Sequence, residues 1–84
     1  MNITFKLFAS LTDYLPTAEK YTNQVTLDIA PDTTIGQLVE RYRLPEKQVH
    51  LVLVNGSYIA HEHRASRTLA EGDVLAIWPP IAGG

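Results

Sequence analysis

The stretch TTIGQLVERYRLP, residues 33–45, decides the fold because it carries the strongest helix signal in the chain. Thr34 can cap a helix, and Gln37 three residues later completes a capping box. Pro45 prevents the helix from continuing. The apolar residues recur at i, i+3, i+4 and i+7, which places one stripe along the helix: Ile35, Leu38, Val39 and Tyr42. The pattern predicts one amphipathic helix, able to cover one face of a sheet.

The segments around this helix alternate between apolar and polar residues, as strands do. They are NITFKLF (2–8), QVTLDI (24–29), HLVLVNGSYI (50–59) and VLAIW (74–78). The third segment is expected to be a hairpin of two strands, because Asn55-Gly56 supplies the two positive φ angles of a type I′ turn. The order strand, strand, helix, strand pair, strand predicts an α+β roll with a mixed sheet on one main helix. We expect residues 1–84 to form a single domain, with 79–84 as its tail.

Two connections receive less regular predictions. SLTDYLP, residues 10–16, is expected to form a short helical turn, in which Ser10 and Asp13 make a capping-box-like start and Pro16 ends the turn. Residues 60–73 are expected to form a loop that turns into the last strand.

Composition excludes several classes of function. The seven Lys and Arg residues are scattered and the net charge is −2, so nucleic acid is a poor candidate partner. No apolar run is long enough to span a membrane, and the start lacks a signal peptide's regions, so a cytoplasmic location is expected. With no cysteine, the chain has no thiolate nucleophile and no thiolate metal ligand.

The chain's own side chains make a weak case for catalysis or metal binding. His61 and His63 lie two residues apart, but only His50 is a plausible third ligand, and metal sites need three or four. Ala65 stands where an H-E-x-x-H motif would place its second histidine. Neither a G-x-S-x-G elbow nor a phosphate-binding loop is present. We therefore expect no metal and no bound cofactor.

Two aromatic residues, Phe8 and Trp78, are expected to point away from the core because of their positions in their strands. Ile3, Phe5 and Leu7 would face the core, so Phe8 would point to the other face of the sheet. In the last strand Leu75 and Ile77 share one face, so Trp78 would point to the other. Tyr58, leaving the hairpin, could join them. The rings then form either an apolar patch for a partner or a cap over the edge of a twisted core.

The chain ends in PPIAGG, residues 79–84. A glycine pair at a terminus can simply be a frayed end. However, Pro79 and Pro80 favour an extended neck, and Gly83 and Gly84 present backbone without side chains. In a chain without thiols, the terminal carboxylate is the group that could become an acyl electrophile, once a partner enzyme activates it with ATP.

Taken together, VNG in the hairpin, EGD before the last strand, FKLFA at 5–9 and AIWPPIAGG at the end resemble the ubiquitin-like β-grasp sulfur carriers, most closely the small subunit of molybdopterin synthase. The resemblance covers the whole chain. The length of the loop at 60–68 and the NG…L-x-x-GD frame also resemble the thiamine-pathway sulfur carrier. The two prolines favour the molybdopterin synthase small subunit instead.

The resemblance implies a reaction cycle. A ubiquitin-activating-type enzyme would adenylate Gly84, and a sulfurtransferase system would convert it to a thiocarboxylate. The large synthase subunit would accept the tail (Pro80, Ile81, Ala82, Gly83 and Gly84) and contact Phe8, Tyr58 and Trp78. Sulfur would pass to cyclic pyranopterin monophosphate, so this small subunit would itself be non-catalytic. A thiamine-type carrier and a ubiquitin-like protein modifier are the alternatives.

Overall fold

The computed structural model describes residues 1–16 and 20–80, and within them five strands form one sheet. The strands are β1 (Asn2–Leu7), β2 (Gln24–Asp28), β3 (Leu51–Val54), β4 (Ser57–Tyr58) and β5 (Val74–Trp78). Their spatial order is β2-β1-β5-β3-β4. The central pair, β1 and β5, is parallel and the other pairs are antiparallel, so the predicted mixed sheet is confirmed.

The helix α1 spans Ile35–Arg41 and begins with the predicted capping box. The Gln37 amide donates to Thr34 Oγ1 at 3.1 Å, and the Thr34 amide donates to Gln37 Oε1 at 2.9 Å. Two of the first free amides of the helix therefore have partners. Of the predicted stripe, Ile35 and Leu38 are fully buried, while Val39 and Tyr42 are partly buried against the core.

The helix ends at Arg41, before Pro45 is reached. The Arg43 amide donates to the Glu40 carbonyl at 3.0 Å, and the Leu44 amide donates to the Val39 carbonyl at 2.9 Å. This pair of bonds is a Schellman motif, which needs a left-handed residue at its turn. Arg43 takes that conformation with φ of 57°, in a position that glycine usually holds.

The core lies between α1 and the face of the sheet that we call the inner face. The central side chains of this face have almost no exposed surface: Ile3, Phe5, Leu7, Val52, Val54, Leu75 and Ile77. The ring of Phe5 packs on that of Tyr42 with 4.9 Å between centroids, which joins β1 to the end of the helix. Successive strand residues alternate in direction, so the residues between these form an opposite, outer face.

The turn after β1 differs from its prediction. Residues Ala9–Tyr14 form a 3-10 helix, but the predicted capping-box start by Ser10 and Asp13 is wrong. Phe8 occupies the N-cap position without a side-chain bond, and Thr12 Oγ1 instead donates to the Ala9 carbonyl at 2.9 Å. Ala9 itself has φ of 52°, so the chain turns sharply directly after Phe8.

The segment 60–73, predicted as a loop, is tied to the start of α1. It contains a short 3-10 helix, His61–His63. The Gly36 amide donates to the Arg64 carbonyl at 2.9 Å, and the Ile35 amide donates to the Arg67 carbonyl at 3.0 Å. A Cβ on Gly36 would lie 3.1 Å from the Ala65 Cα, so glycine permits this close approach.

Candidate functional site

The outer face of the sheet carries an apolar surface that crosses three strands. The register places Leu51 opposite Trp78, and Leu53 opposite both Ala76 and Tyr58. Direct cross-strand partners share a face. We use the name outer surface for the set Phe8, Leu51, Leu53, Tyr58, Ala76 and Trp78. Lys6 is opposite Ala76 on the next strand, so a cationic side chain borders this surface.

Phe8 and Trp78 form the most closely packed pair of this surface. Their ring centroids are 4.0 Å apart and their planes differ by 5°, so the rings are stacked. Both rings are half-buried, whereas Leu75 and Ile77 on the inner face have no exposed surface. The parity argument from the sequence therefore placed both rings on the correct face.

Tyr58 lies on the same face, at the edge strand, and its side chain is 61% exposed. Tyr58 is opposite Leu53 on β3, and Trp78 is opposite Leu51 on the other side of β3, so two strand spacings separate Tyr58 from Trp78. The structure thus brings Phe8 and Trp78 into direct contact and places Tyr58 at the far end of the same surface.

Leu51 and Leu53 occupy the space between these aromatics, and the sequence analysis did not identify them. Both are half-buried. The signal was present in the run LVLV, because a strand that is apolar at every position has apolar side chains on both of its faces.

The end of β5 is held from both sides. The Phe8 amide donates to the Ile77 carbonyl at 3.2 Å, and the His50 amide donates to the Trp78 carbonyl at 3.0 Å. Pro79 and Pro80 follow, and neither has an amide hydrogen that could extend the ladder. The outer surface therefore lies directly beside the point where the chain leaves the sheet.

The predicted tail falls largely beyond the described part of the chain. Pro80 is described and is half-buried. The predictions for Ile81, Ala82, Gly83 and Gly84, including the reactive carboxylate, concern residues outside the described ranges.

His61 and His63 lie in the short 3-10 helix of the segment 60–73, which is not part of the outer surface. His61 Nε2 is 3.4 Å from Glu46 Oε1, and both side chains are largely exposed. His63 is exposed in the same short helix. Among residues 1–16 and 20–80, no three metal-ligating side chains come together.

Two polar clusters outside this surface were missed by the sequence analysis, and both fix loops. Arg64 is 7% exposed and donates to the carbonyls of Ile59, Val49 and His50 at 3.2, 3.0 and 2.9 Å. Asn55 and Asp73 join the hairpin turn to the turn before β5. Contacts over such sequence distances leave no local pattern that would have revealed them.

Comparisons with known proteins agree with this geometry. The ThiS family model matches residues 6–84. Similar solved structures include SAMP1 from Haloferax volcanii, at 28% identity and a TM-score of 0.68, with all of both chains covered. A second is the thiamine biosynthesis protein ThiS from Geobacter metallireducens, at 19% identity and a TM-score of 0.65, again with both chains fully covered.

A third similar structure is a complex of subunits 1 and 2 of the molybdopterin-converting factor from Helicobacter pylori. The match has 18% identity and a TM-score of 0.61, and it covers all of this chain and all of the matched chain. No curated protein matches the sequence. The predicted ubiquitin-like β-grasp fold is confirmed by these comparisons and by the mixed sheet with its single main helix in the described residues.

In the part of the chain that the structure describes, no helix has the length and apolar character needed to cross a bilayer.

Proposed function

The chain belongs to the ThiS family of ubiquitin-like sulfur carriers, and we propose that it carries sulfur as a thiocarboxylate on Gly84 for molybdopterin synthesis. In this role it is the small subunit of molybdopterin synthase. Its acceptor is cyclic pyranopterin monophosphate, and its docking partner is the large synthase subunit. An ATP-dependent activating enzyme is its second partner.

The observation that carries the proposal is the position of the outer surface. The stacked pair Phe8 and Trp78 lies at the end of β5, one residue before Pro79. A partner that covers this surface therefore has the start of the tail at the edge of its interface. Aromatic residues are enriched among those that contribute most to protein–protein affinity.

The chemistry follows from the groups that the chain lacks. A carboxylate is ionised at neutral pH and does not react as an acyl donor. Attack by its oxygen on the α-phosphate of ATP forms an acyl adenylate and releases pyrophosphate. A sulfur nucleophile at the oxidation level of sulfide then displaces AMP, which leaves a thiocarboxylate. The chain has no phosphate-binding loop and no cysteine, so its partners supply both ATP binding and sulfur.

Transfer completes the cycle. The thiocarboxylate sulfur attacks a carbon of the pterin precursor, and a C–S bond forms while a C–O bond at that carbon breaks and its oxygen takes up protons and leaves as water. Water then cleaves the acyl–sulfur bond, which restores the Gly84 carboxylate for another round. The complex of subunits 1 and 2 from Helicobacter pylori, which has a similar subunit fold, supports a two-subunit assembly of this kind.

A reconstituted reaction tests the molybdopterin assignment. The thiocarboxylated chain is mixed with a molybdopterin synthase large subunit and cyclic pyranopterin monophosphate, and dithiolene formation is measured. The proposal predicts product in proportion to the thiocarboxylate consumed, and none with a chain that lacks Gly84. Thiocarboxylate that remains intact in this mixture but is consumed by thiazole synthesis would instead assign the chain to the thiamine pathway.

A protein-modifier function is the second candidate, and it is supported by the sequence identity between this chain and a protein modifier. SAMP1, whose other solved structure is described as small archaeal modifier protein 1, is 28% identical to this chain, whereas the molybdopterin-converting factor complex is 18% identical. A modifier joins its activated C-terminus to amines of other proteins. Tagged chain would then appear in a series of higher-mass conjugates that require Gly84.

A further inference from the structure

We propose that the stack of Phe8 on Trp78 fixes the direction in which the chain leaves the sheet, so that Phe8 is a positioning residue for the reactive tail. This inference rests on the proposed function, because it assigns a second role to residues of the docking surface. The stack then determines how fast a docked tail reacts, in addition to how tightly the partner binds.

Backbone bonds hold the end of β5 from both sides, but only as far as Trp78. The last bonds of β5 are accepted by the carbonyls of Ile77 and Trp78. Beyond them, Pro79 and Pro80 cannot donate to a neighbouring strand. The side chain of Trp78 is thus the last group of β5 that can fix the orientation of the exit.

Phe8, on which the Trp78 side chain stacks, is itself fixed in position by its neighbours in the chain. The Leu11 amide donates to the Phe8 carbonyl at 3.0 Å, and Leu11 is fully buried in the core. The left-handed Ala9 turns the chain into this helix. Phe8 is therefore fixed by β1 on one side and by a core-anchored helix on the other, whereas Trp78 is the last residue of its strand.

Pro79 and Pro80 restrict the backbone that follows Trp78, so the chain continues in the direction that it has at Trp78. Each restricts φ to about −65°, and a polyproline segment advances about 3 Å per residue with little bending. A change of angle at Trp78 is therefore transmitted along the neck instead of being absorbed there. In a group-transfer site, a misplacement of about 1 Å can reduce the rate about 100-fold.

Three variants separate positioning from docking. Phe8→Leu keeps an apolar side chain but removes the stack, and Phe8→Tyr keeps the ring. Tyr21→Leu is the matched control, because it makes the same change of aromatic to leucine at a side chain that is 95% exposed and outside the outer surface. Circular dichroism confirms that each variant is folded.

The first measurement needs no partner. Residual dipolar couplings of the Cα–Hα bonds of Pro79 and Pro80 are fitted to the alignment of the sheet. We expect them to fit in the wild-type chain, in Phe8→Tyr and in Tyr21→Leu, and to fall towards zero in Phe8→Leu. Unchanged couplings in Phe8→Leu would overturn the positioning role.

The second measurement is the rate of sulfur transfer at a saturating concentration of the large subunit. We expect Phe8→Leu to lose about tenfold or more in this rate, with recovery in Phe8→Tyr. A loss in affinity alone, with the saturated rate unchanged, would show that the stack serves docking only. If the wild-type chain never accepts sulfur, the proposed function fails, and the dipolar couplings still decide whether Phe8 orients the neck.

Discussion

The side chain of Asn55 joins two turns by a hydrogen bond to Asp73, in which Asn55 Nδ2 donates to Asp73 Oδ1 at 2.9 Å. The Val74 amide donates to Asn55 Oδ1 at 2.8 Å, and the Ala70 amide donates to Asp73 Oδ2 at 2.8 Å. The hairpin turn is thereby fixed to the start of β5. Since β5 leads to the tail, this cluster sets the position of the strand that presents it.

Asp73→Ala is expected to lower the free energy of unfolding by about 0.5–1.5 kcal/mol, because it removes the acceptor of the hydrogen bonds from Asn55 Nδ2 and the Ala70 amide, both of which are open to solvent. Urea denaturation followed by circular dichroism measures the change. Asp13→Ala, at an exposed carboxylate of the first 3-10 helix, is the control and should change stability by less than about 0.5 kcal/mol. Equal effects in the two variants would contradict the role given to Asp73.

Arg64→Met should destabilise the chain by about 2–4 kcal/mol. The substitution keeps most of the apolar stem but removes all the donors to the carbonyls of Val49, His50 and Ile59. Thermal and urea unfolding measure it. Arg67→Met is the matched control, because Arg67 is exposed and its Nε donates to the carbonyl of the neighbouring Thr68. If Arg64→Met were as stable as this control, the buried guanidinium would not be holding the loop.

Trp78→Glu is expected to weaken binding of the large subunit by about tenfold to 100-fold, because a carboxylate placed in an apolar interface must lose its hydration. Titration calorimetry with the large subunit measures the affinity. Adenylation by the activating enzyme should continue if that enzyme recognises mainly the tail. Tyr21→Glu introduces the same charge away from the outer surface and should bind normally; equal affinity for both variants would contradict the docking role.

One residue appended after Gly84 should abolish adenylation and leave stability unchanged. The addition moves the carboxylate beyond the position that we expect the activating enzyme to recognise, and the core cluster is formed by residues between Ile3 and Ile77. Release of pyrophosphate from ATP measures the reaction, and unfolding by urea measures stability. Adenylation of the extended chain at the wild-type rate would contradict the prediction that the activating enzyme requires the terminal carboxylate to be on Gly84.

Local sequence patterns predicted the elements whose signals are local. Thr34 and Gln37 interact within one helical turn, and Asn55-Gly56 forms its hairpin with φ of 51° and 84° at the two residues, so both were predictable. Parity along a strand also gave the outward faces of Phe8 and Trp78.

The remaining features depend on contacts that are distant in sequence. The start of the first 3-10 helix is set by the buried Leu11 and the left-handed Ala9, instead of by the capping pair Ser10 and Asp13. From the sequence alone Arg64 looks like a surface residue, because the Val49 and His50 carbonyls that it binds lie 15 and 14 residues away in the chain. The end of α1 at Arg41 follows from a left-handed arginine, a conformation for which the sequence carries no glycine signal.

The intact mass of the chain, measured after incubation with a cognate activating enzyme, ATP and a sulfur source, tests the central claim most directly. We predict a rise equal to the exchange of one oxygen for one sulfur, located by fragmentation at Gly84 and absent without ATP. An unchanged mass under conditions in which that enzyme charges its known carrier would contradict the account.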